Sequence, residues 1–343
     1  MNNDRSITHS SRLVRPKLNY NLAVTVGLGI TLVIGMLFSL CQGSVPLTLS
    51  QVWQALGHQG LAQNQTIIWD LRLPRILAAV LVGAALGMSG GLLQGMLRNS
   101  LADPFVLGIS AGAGLVVIGC ITFSIASVYL PLGAWLGAMG TAAIVYILGY
   151  RAGTITAERL VLAGIAVSSL FGAMQTMMLL LNDESRLQSA LNWLVGSLNG
   201  RGWSTVQVAA PYVILGLLAG CVLGRSINLL SLGDELAMSL GVSLVQTRLS
   251  IGLVASLLAG SAVSVAGLIG FIGLIVPHGI RMLVGNDYRW LLPLSAVGGA
   301  LVLTLADLLA RIGSVEFPVG VVTALCGSPV FIWLLYQRQS SRI

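Results

Sequence analysis

Residues 72–91 read RLPRILAAVLVGAALGMSGG, and LLQGMLRNSLADP follows as far as Pro104. Between Arg75 and Arg98 this stretch carries no charge. About 20 apolar residues cross a hydrocarbon core about 30 Å thick, so the run 74–96 is long enough to span a bilayer. Gly83, Gly87, Gly91 and Gly95 recur every four residues and therefore share one helix face. A smooth stripe of this kind lets a second backbone approach closely. It serves either as a moving joint or as ordinary helix packing.

The rest of the chain repeats the pattern. Of 343 residues, 56% are hydrophobic and only 8% charged, with a mean hydropathy of +0.90. A soluble domain carries about 25% charged residues, and a chain this poor in charge cannot cover a water-facing surface. The spans predicted are 21–41, 74–96, 104–124, 128–149, 159–181, 206–226, 248–267, 270–284, 290–311 and 318–337. The eighth is short, either a half-helix or a span broken near Pro277. The apolar stretch 188–199 is too short to cross and is placed at the interface. Residues 51–56, in the loop 43–68, are read as a short surface helix. The expected class is all-α and polytopic: a tail over 1–20, a transmembrane domain over 21–337 and a tail over 338–343.

The net charge of +7 raises the question of nucleic acid, but the basic residues lie scattered between apolar runs, where topology explains them. With ten alternating spans and a cytoplasmic N-terminus, Arg72, Arg75, Arg186, Arg201 and Arg311 fall outside, and the other thirteen basic residues fall inside. That bias favours two cytoplasmic termini. Cys41, Cys120, Cys221 and Cys326 have no metal-ligand spacing and read as small apolar residues. His278 has no cysteine, histidine or carboxylate cluster around it, so no metal site is expected, and no nucleophile–base pair stands out. The only lysine is Lys17, followed by Leu18 with no glycine before it. A phosphate-cradling P-loop needs Gly-x-x-x-x-Gly-Lys-Ser/Thr, so any ATP chemistry must come from another chain.

Two polar features need partners. Asp307 lies within the ninth span, where a charged Asp costs roughly 2.5–3.5 kcal/mol. Arg311, one turn on, is the favoured partner, and a proton relay is the alternative. Between the sixth and seventh spans, Leu232, Leu236 and Leu240 form one helical stripe. Asp234 and Glu235 stand near the start of this short helix and Gly241 near its end. The stripe must be covered by lipid headgroups, by the chain's own helices or by a soluble partner. A weak likeness between 72–91 and 248–267, five helices apart and hence opposite in direction, hints at inverted repeats.

Five stretches resemble the FecCD-type permeases of binding-protein-dependent ABC importers, which move iron-siderophores, heme or cobalamin. They are Arg72-Leu73-Pro74-Arg75 with 82–87; 98–104 followed by Leu107-Gly108; 232–241; 269–278; and 318–324 running on to 327–331. The resemblance implies a type II ABC importer permease fold of ten helices with inverted repeats. It implies a second permease chain, a heterodimer partner in the ferric-siderophore branch, together with two cytoplasmic ATPases that hold ATP and Mg and a periplasmic or lipoprotein substrate-binding protein. No cofactor is expected in this chain. Within 231–242, Leu232, Gly233, Asp234, Glu235, Ala237, Leu240 and Gly241 become the element that couples to the ATPase. Arg72, Arg75 and Arg311 become docking groups for carboxylates of the binding protein; without the resemblance they read as snorkelling anchors. Asn99 and Leu101 match the inner gate, with Ser100 where proline is usual, as Leu268 also replaces a frequent proline. Met174, Met177 and Met178 are read either as an adaptable path wall or as packing. The stretch 191–203 and the last span resemble the ferric-siderophore branch more than the cobalamin one. The rival class is an ion-coupled secondary transporter, which would want ionisable groups near midspan, and only Asp307 qualifies.

Overall fold

The computed structural model describes residues 17–43, 45–151, 154–312 and 315–340. Most of the expected N-terminal tail, with Arg5, Arg12 and Arg15, lies outside these residues, as does Arg342. Among the described residues, ten helices answer to the predicted spans: α1 (Lys17–Cys41), α4 (Leu73–Met96), α5 (Ile109–Thr122), α6 (Leu130–Gly149), α7 (Ala157–Leu180), α9 (Trp203–Leu230), α11 (Leu244–Ala266), α12 (Ile272–Val284), α13 (Tyr288–Ala310) and α14 (Val319–Ser340). Four shorter helices join them: α2 (Leu49–Leu56), α3 (Ala62–Thr66), α8 (Glu184–Val195) and α10 (Asp234–Ser239). Among the described residues, seven helices are long and apolar enough to cross a membrane, and 109–122, 272–284 and 319–332 are shorter apolar helices. The protein is a multi-pass membrane protein.

Several boundaries differ from the sequence reading, each for a local reason. The second span starts earlier: a helical run extends from Ala62 to Met96, 35 residues. It passes through a π-helical stretch, Ile67–Arg72, where the N–H of Leu73 reaches back to the carbonyl of Ile68. Pro74 has no N–H and its ring crowds the preceding turn, and a wider turn relieves both problems. The third span starts later. Asp103 accepts from the N–H of Phe105 at 2.9 Å, a short 3-10 turn spans Pro104–Leu107, and α5 begins only after Gly108 at φ 74°. The eighth span is a single 13-residue helix that continues through Pro277, entered from Phe271 at φ 69°. The coupling segment expected over 231–242 is helical only over Asp234–Ser239, flanked by Gly233 at φ 114° and Gly241 at φ 85°. The surface helix and the interfacial stretch appear as α2, opened by a Thr48–Gln51 capping box, and α8, capped at its start by Asp183. A two-residue antiparallel ribbon, β1 (Tyr150–Arg151) with β2 (Thr154–Ile155), leads into α7.

The core is built around α4, whose span is 83% buried within the chain, against 17% for α1 and α7. It packs along α13 and α11, and also against α9 and α12. The glycine stripe explains how. A Cβ at Gly83 would collide with the carbonyl of Gly299 on α13, and one at Gly87 with the carbonyl of Ser295. Two backbones therefore touch with no side chain between them. Gly95 ends the stripe against Ile227 and Tyr288. On α11, Gly252 receives the ring of Tyr146 from α6, and Gly260 faces Ala138. The pairing of α4 with α13 and of α11 with α6 has the symmetry that an inverted repeat requires.

This contact predicts an asymmetric response to added methyl groups. Gly83→Ala and Gly87→Ala should each destabilise the purified protein by about 1–3 kcal/mol through overpacking. Gly29→Ala on α1, where nothing lies within 4 Å, should be neutral or better. Thermal unfolding in one detergent checks this, and equal effects at both positions would contradict the packing described.

Candidate functional site

The chemistry-bearing groups gather at the two ends of α4. Arg75 and Arg98 are 23 positions apart, about 34 Å at 1.5 Å per helical residue.

At the Arg75 end, three buried arginines tie four segments together. Arg75 grips Asp307 of α13 in a fork, Nη2 to Oδ1 at 2.7 Å and Nε to Oδ1 and Oδ2 at 3.0 and 3.2 Å. Its Nη1 meets Glu316 at 2.5 Å. Arg311 Nε reaches Asp307 Oδ2 at 3.1 Å, and its Nη2 donates to the hydroxyl of Ser39 at the end of α1. Arg72 donates from Nη1 to the carbonyl of Leu40 at 2.5 Å and from Nη2 to that of Val45. It thus satisfies an orphan carbonyl in the last turn of α1, where a cation also complements the helix dipole. The expected local pair of Asp307 with Arg311 is present, and Arg75 is the further partner. The three arginines expected at an external docking surface are turned inward, and each has partners within the chain. The Arg75 and Arg311 side chains are only 10% and 8% exposed, while that of Glu316 is 38% exposed.

At the Arg98 end, α10 is pinned from two sides. Asp234 accepts from Arg248 Nη2 with both oxygens at 3.0 Å and also pairs with Arg98. Arg248 Nη1 donates to the carbonyl of Ile155 in β2 at 2.5 Å, and the Tyr146 hydroxyl donates to the carbonyl of Arg248 at 3.3 Å. Asn228 Nδ2 donates to Asp287 at 2.7 Å, and its Oδ1 accepts from the N–H of Tyr288 at 2.9 Å. Arg281 Nη1 donates to Gln94 Oε1 at 3.1 Å. Burial pushes the Asp103 carboxyl up to about 6, against the N–H of Phe105, which favours the ionised form.

Held this way, α10 turns its apolar side outward. Leu232, Leu236, Met238 and Leu240 are each more than half exposed, whereas Ala237 is fully buried. The chain's own helices therefore do not cover the stripe. Glu235 is exposed. Asn99 and Leu101 lie beside Arg98, with Asn99 Oδ1 accepting from the N–H of Leu101 at 3.0 Å. Arg98 itself ends α4 at φ 47°, with its N–H to the carbonyl of Gly95 at 3.3 Å and that of Asn99 to Gln94 at 3.1 Å. This is a Schellman closure with arginine where glycine is usual. The left-handed conformation costs roughly 1–2 kcal/mol for a residue with a Cβ. A half-exposed ion pair contributes about 0–1 kcal/mol. On α7, Met174 and Met177 are exposed and Met178 half-buried, while Gln175 Nε2 anchors the helix to the carbonyl of Ala111 at 2.5 Å. The Arg98–Asp234 and Arg75–Asp307 pairs span 136 and 232 positions, so no local pattern in the sequence announces them.

The FecCD transport family matches residues 31–337. The chain belongs to that family. It is 42% identical over 322 residues to the hemin transport system permease protein HmuU of Yersinia pestis, covering 91% of this chain and 95% of that one. It is 42% identical over 310 residues to the Fe(3+) dicitrate transport system permease protein FecD of Escherichia coli, with 88% and 95% covered. It is 41% identical over 276 residues to the cobalamin import system permease protein BtuC of Halobacterium salinarum, with 80% and 74% covered. Among solved structures, one described as an inward-facing metal-chelate type ABC transporter superposes with a TM-score of 0.83 at 33% identity, over 92% of this chain and 99% of that chain. The FecCD membership and this superposition identify the fold as that of a type II ABC importer permease.

The buried ion network yields a stability prediction. Asp307→Ala leaves Arg75 with Glu316 and Arg311 with the Ser39 hydroxyl as their remaining side-chain partners, and should cost about 3–5 kcal/mol. Glu316→Gln, at a half-exposed partner, should cost about 1 kcal/mol or less. Equal shifts in thermal unfolding would contradict the hierarchy.

Proposed function

We propose that this FecCD-family chain is the membrane-spanning permease subunit of an ATP-driven importer that carries an iron(III) chelate of the siderophore class by alternating access. The observation that carries the reading is the uncovered apolar ridge of α10, clamped at its base by Asp234. A greasy ridge on a rigidly anchored segment suits insertion into a cleft on a soluble neighbour better than a loose contact with lipid. The neighbour is a pair of ATPases that bind ATP and Mg, since the single lysine of this sequence, Lys17, stands outside any P-loop pattern. The α10 end faces the cytoplasm, in keeping with the charge bias. A second permease chain covers the sparsely buried α7, whose Met174 and Met177 then line the path. Asn99 and Leu101 close that path on the α10 side.

A substrate-binding protein docks at the opposite end, above the Arg75 cluster. In this reading Glu316 occupies the position that an incoming carboxylate would take on Arg75. Arg72 and Arg311 shape that surface from beneath. Heme or cobalamin import by the same machinery is the second reading, favoured by the hemin and cobalamin permeases among the relatives.

Two experiments test this. In proteoliposomes holding both permeases, the ATPases and the binding protein, ATP-dependent uptake should be greatest for ⁵⁵Fe(III) complexes of citrate or hydroxamates rather than for hemin or cyanocobalamin. Leu236→Asp should abolish that uptake by releasing the ATPase, which co-purification detects. Uptake that persists in vesicles without any ATPase would overturn the importer reading. Glu316→Gln should tighten capture of the binding protein several-fold in surface-binding assays, because the internal competitor for Arg75 loses its charge.

A further inference from the structure

Arg98 presents a contradiction that packing does not resolve. It holds a left-handed backbone at the end of α4, where glycine would sit without strain, and its ion pair with Asp234 is half-exposed and too weak to offset that strain. Strain retained at one residue signals that its side chain is needed there. That side chain bridges the loop bearing Asn99 and Leu101 to the first residue of α10. The same carboxylate holds Arg248, whose other nitrogen grips the carbonyl of Ile155 at the entry to α7.

Taking α10 as the ATPase-facing element, we propose that Arg98 is a positioning residue that couples the movement of α10 to that of the gate loop. Asp234 is the shared node. When the ATPases shift α10, the Arg98 arm carries the displacement into residues 99–101. The Arg248 arm carries it through the carbonyl of Ile155 into α7. Gate and path wall then respond to a single push, although they belong to different spans.

The test turns on Arg98→Gly. That substitution restores the usual glycine of the helix closure and deletes only the side chain, so a merely structural arginine would leave a protein that folds and works at least as well. The complete importer, with both permeases and both ATPases, is placed in lipid nanodiscs with a nitroxide at Leu101→Cys. The probes are ATP alone and ATP with vanadate. In the labelled parent, the nitroxide spectrum should change with nucleotide. With Arg98→Gly, the melting temperature, ATPase capture and hydrolysis rate should match the parent, while the nucleotide-driven spectral change falls about tenfold. Arg98→Lys should recover part of it. Asp234→Asn should lose it too, without touching the turn of α4, and the double variant should be no worse than Asp234→Asn.

A full spectral response in Arg98→Gly or in Asp234→Asn overturns the link while leaving the importer reading intact. A labelled parent that ignores nucleotide sinks the importer reading, and the link with it.

Discussion

A charge taken out of water must be met by another charge or by a polar group, and in a lipid-embedded bundle that group has to come from the protein itself. The organisation of this chain follows from how α4 satisfies that demand. It is the most buried span, and its flanking charges are matched by distant segments. Arg75 finds its carboxylates on α13 and in the segment after it, and Arg98 finds its own at the head of α10. Each pair closes a loop of more than a hundred residues.

Between those ends, α4 has little polar chemistry and much smoothness. Gly83 and Gly87 bring its backbone against that of α13, so at those positions no rotamer of α4 has to be ordered. Such a surface packs closely and offers few knobs of its own. The register of α4 on α13 is set at the Arg75 end, where a bidentate guanidinium–carboxylate pair tolerates little sliding.

Much of this was legible in the sequence, for physical reasons. Length and apolarity located the seven long helices among the described residues, because the bilayer imposes a minimum length that soluble folds do not, and apolarity alone marked the three shorter ones. The Leu232–Leu236–Leu240 stripe located α10. What stayed hidden was long-range or depended on backbone shape. The turn of Arg98 is not a glycine, so nothing in its identity announces a left-handed residue. The π-helical entry to α4 follows from Pro74, but a proline there is equally compatible with a simple helix start. Asp307 showed that it needed a partner, and its i+4 neighbour was found, whereas Arg75 lies 232 positions away. The inward partners of Arg72, Arg75 and Arg311 were hidden for the same reason: a terminal arginine is indistinguishable in sequence whether it faces water or caps a neighbouring helix. The glycine stripe announced a close backbone approach, and Gly83 and Gly87 make it against α13.

The network around Asp307 also bears on where energy enters. An ion-coupled transporter needs a buried ionisable group that gains and loses a proton or a cation as the protein cycles. Asp307 is the acidic residue placed for such a role among the described spans, yet two guanidinium groups hold it. Displacing them would unfasten α1, α4 and α13 together. That is the profile of a structural lock. The apolar ridge of α10 has the opposite character. It is exposed, it is held through Asp234, and it is left uncovered by its own chain, which is what the proposed coupling to an outside partner requires.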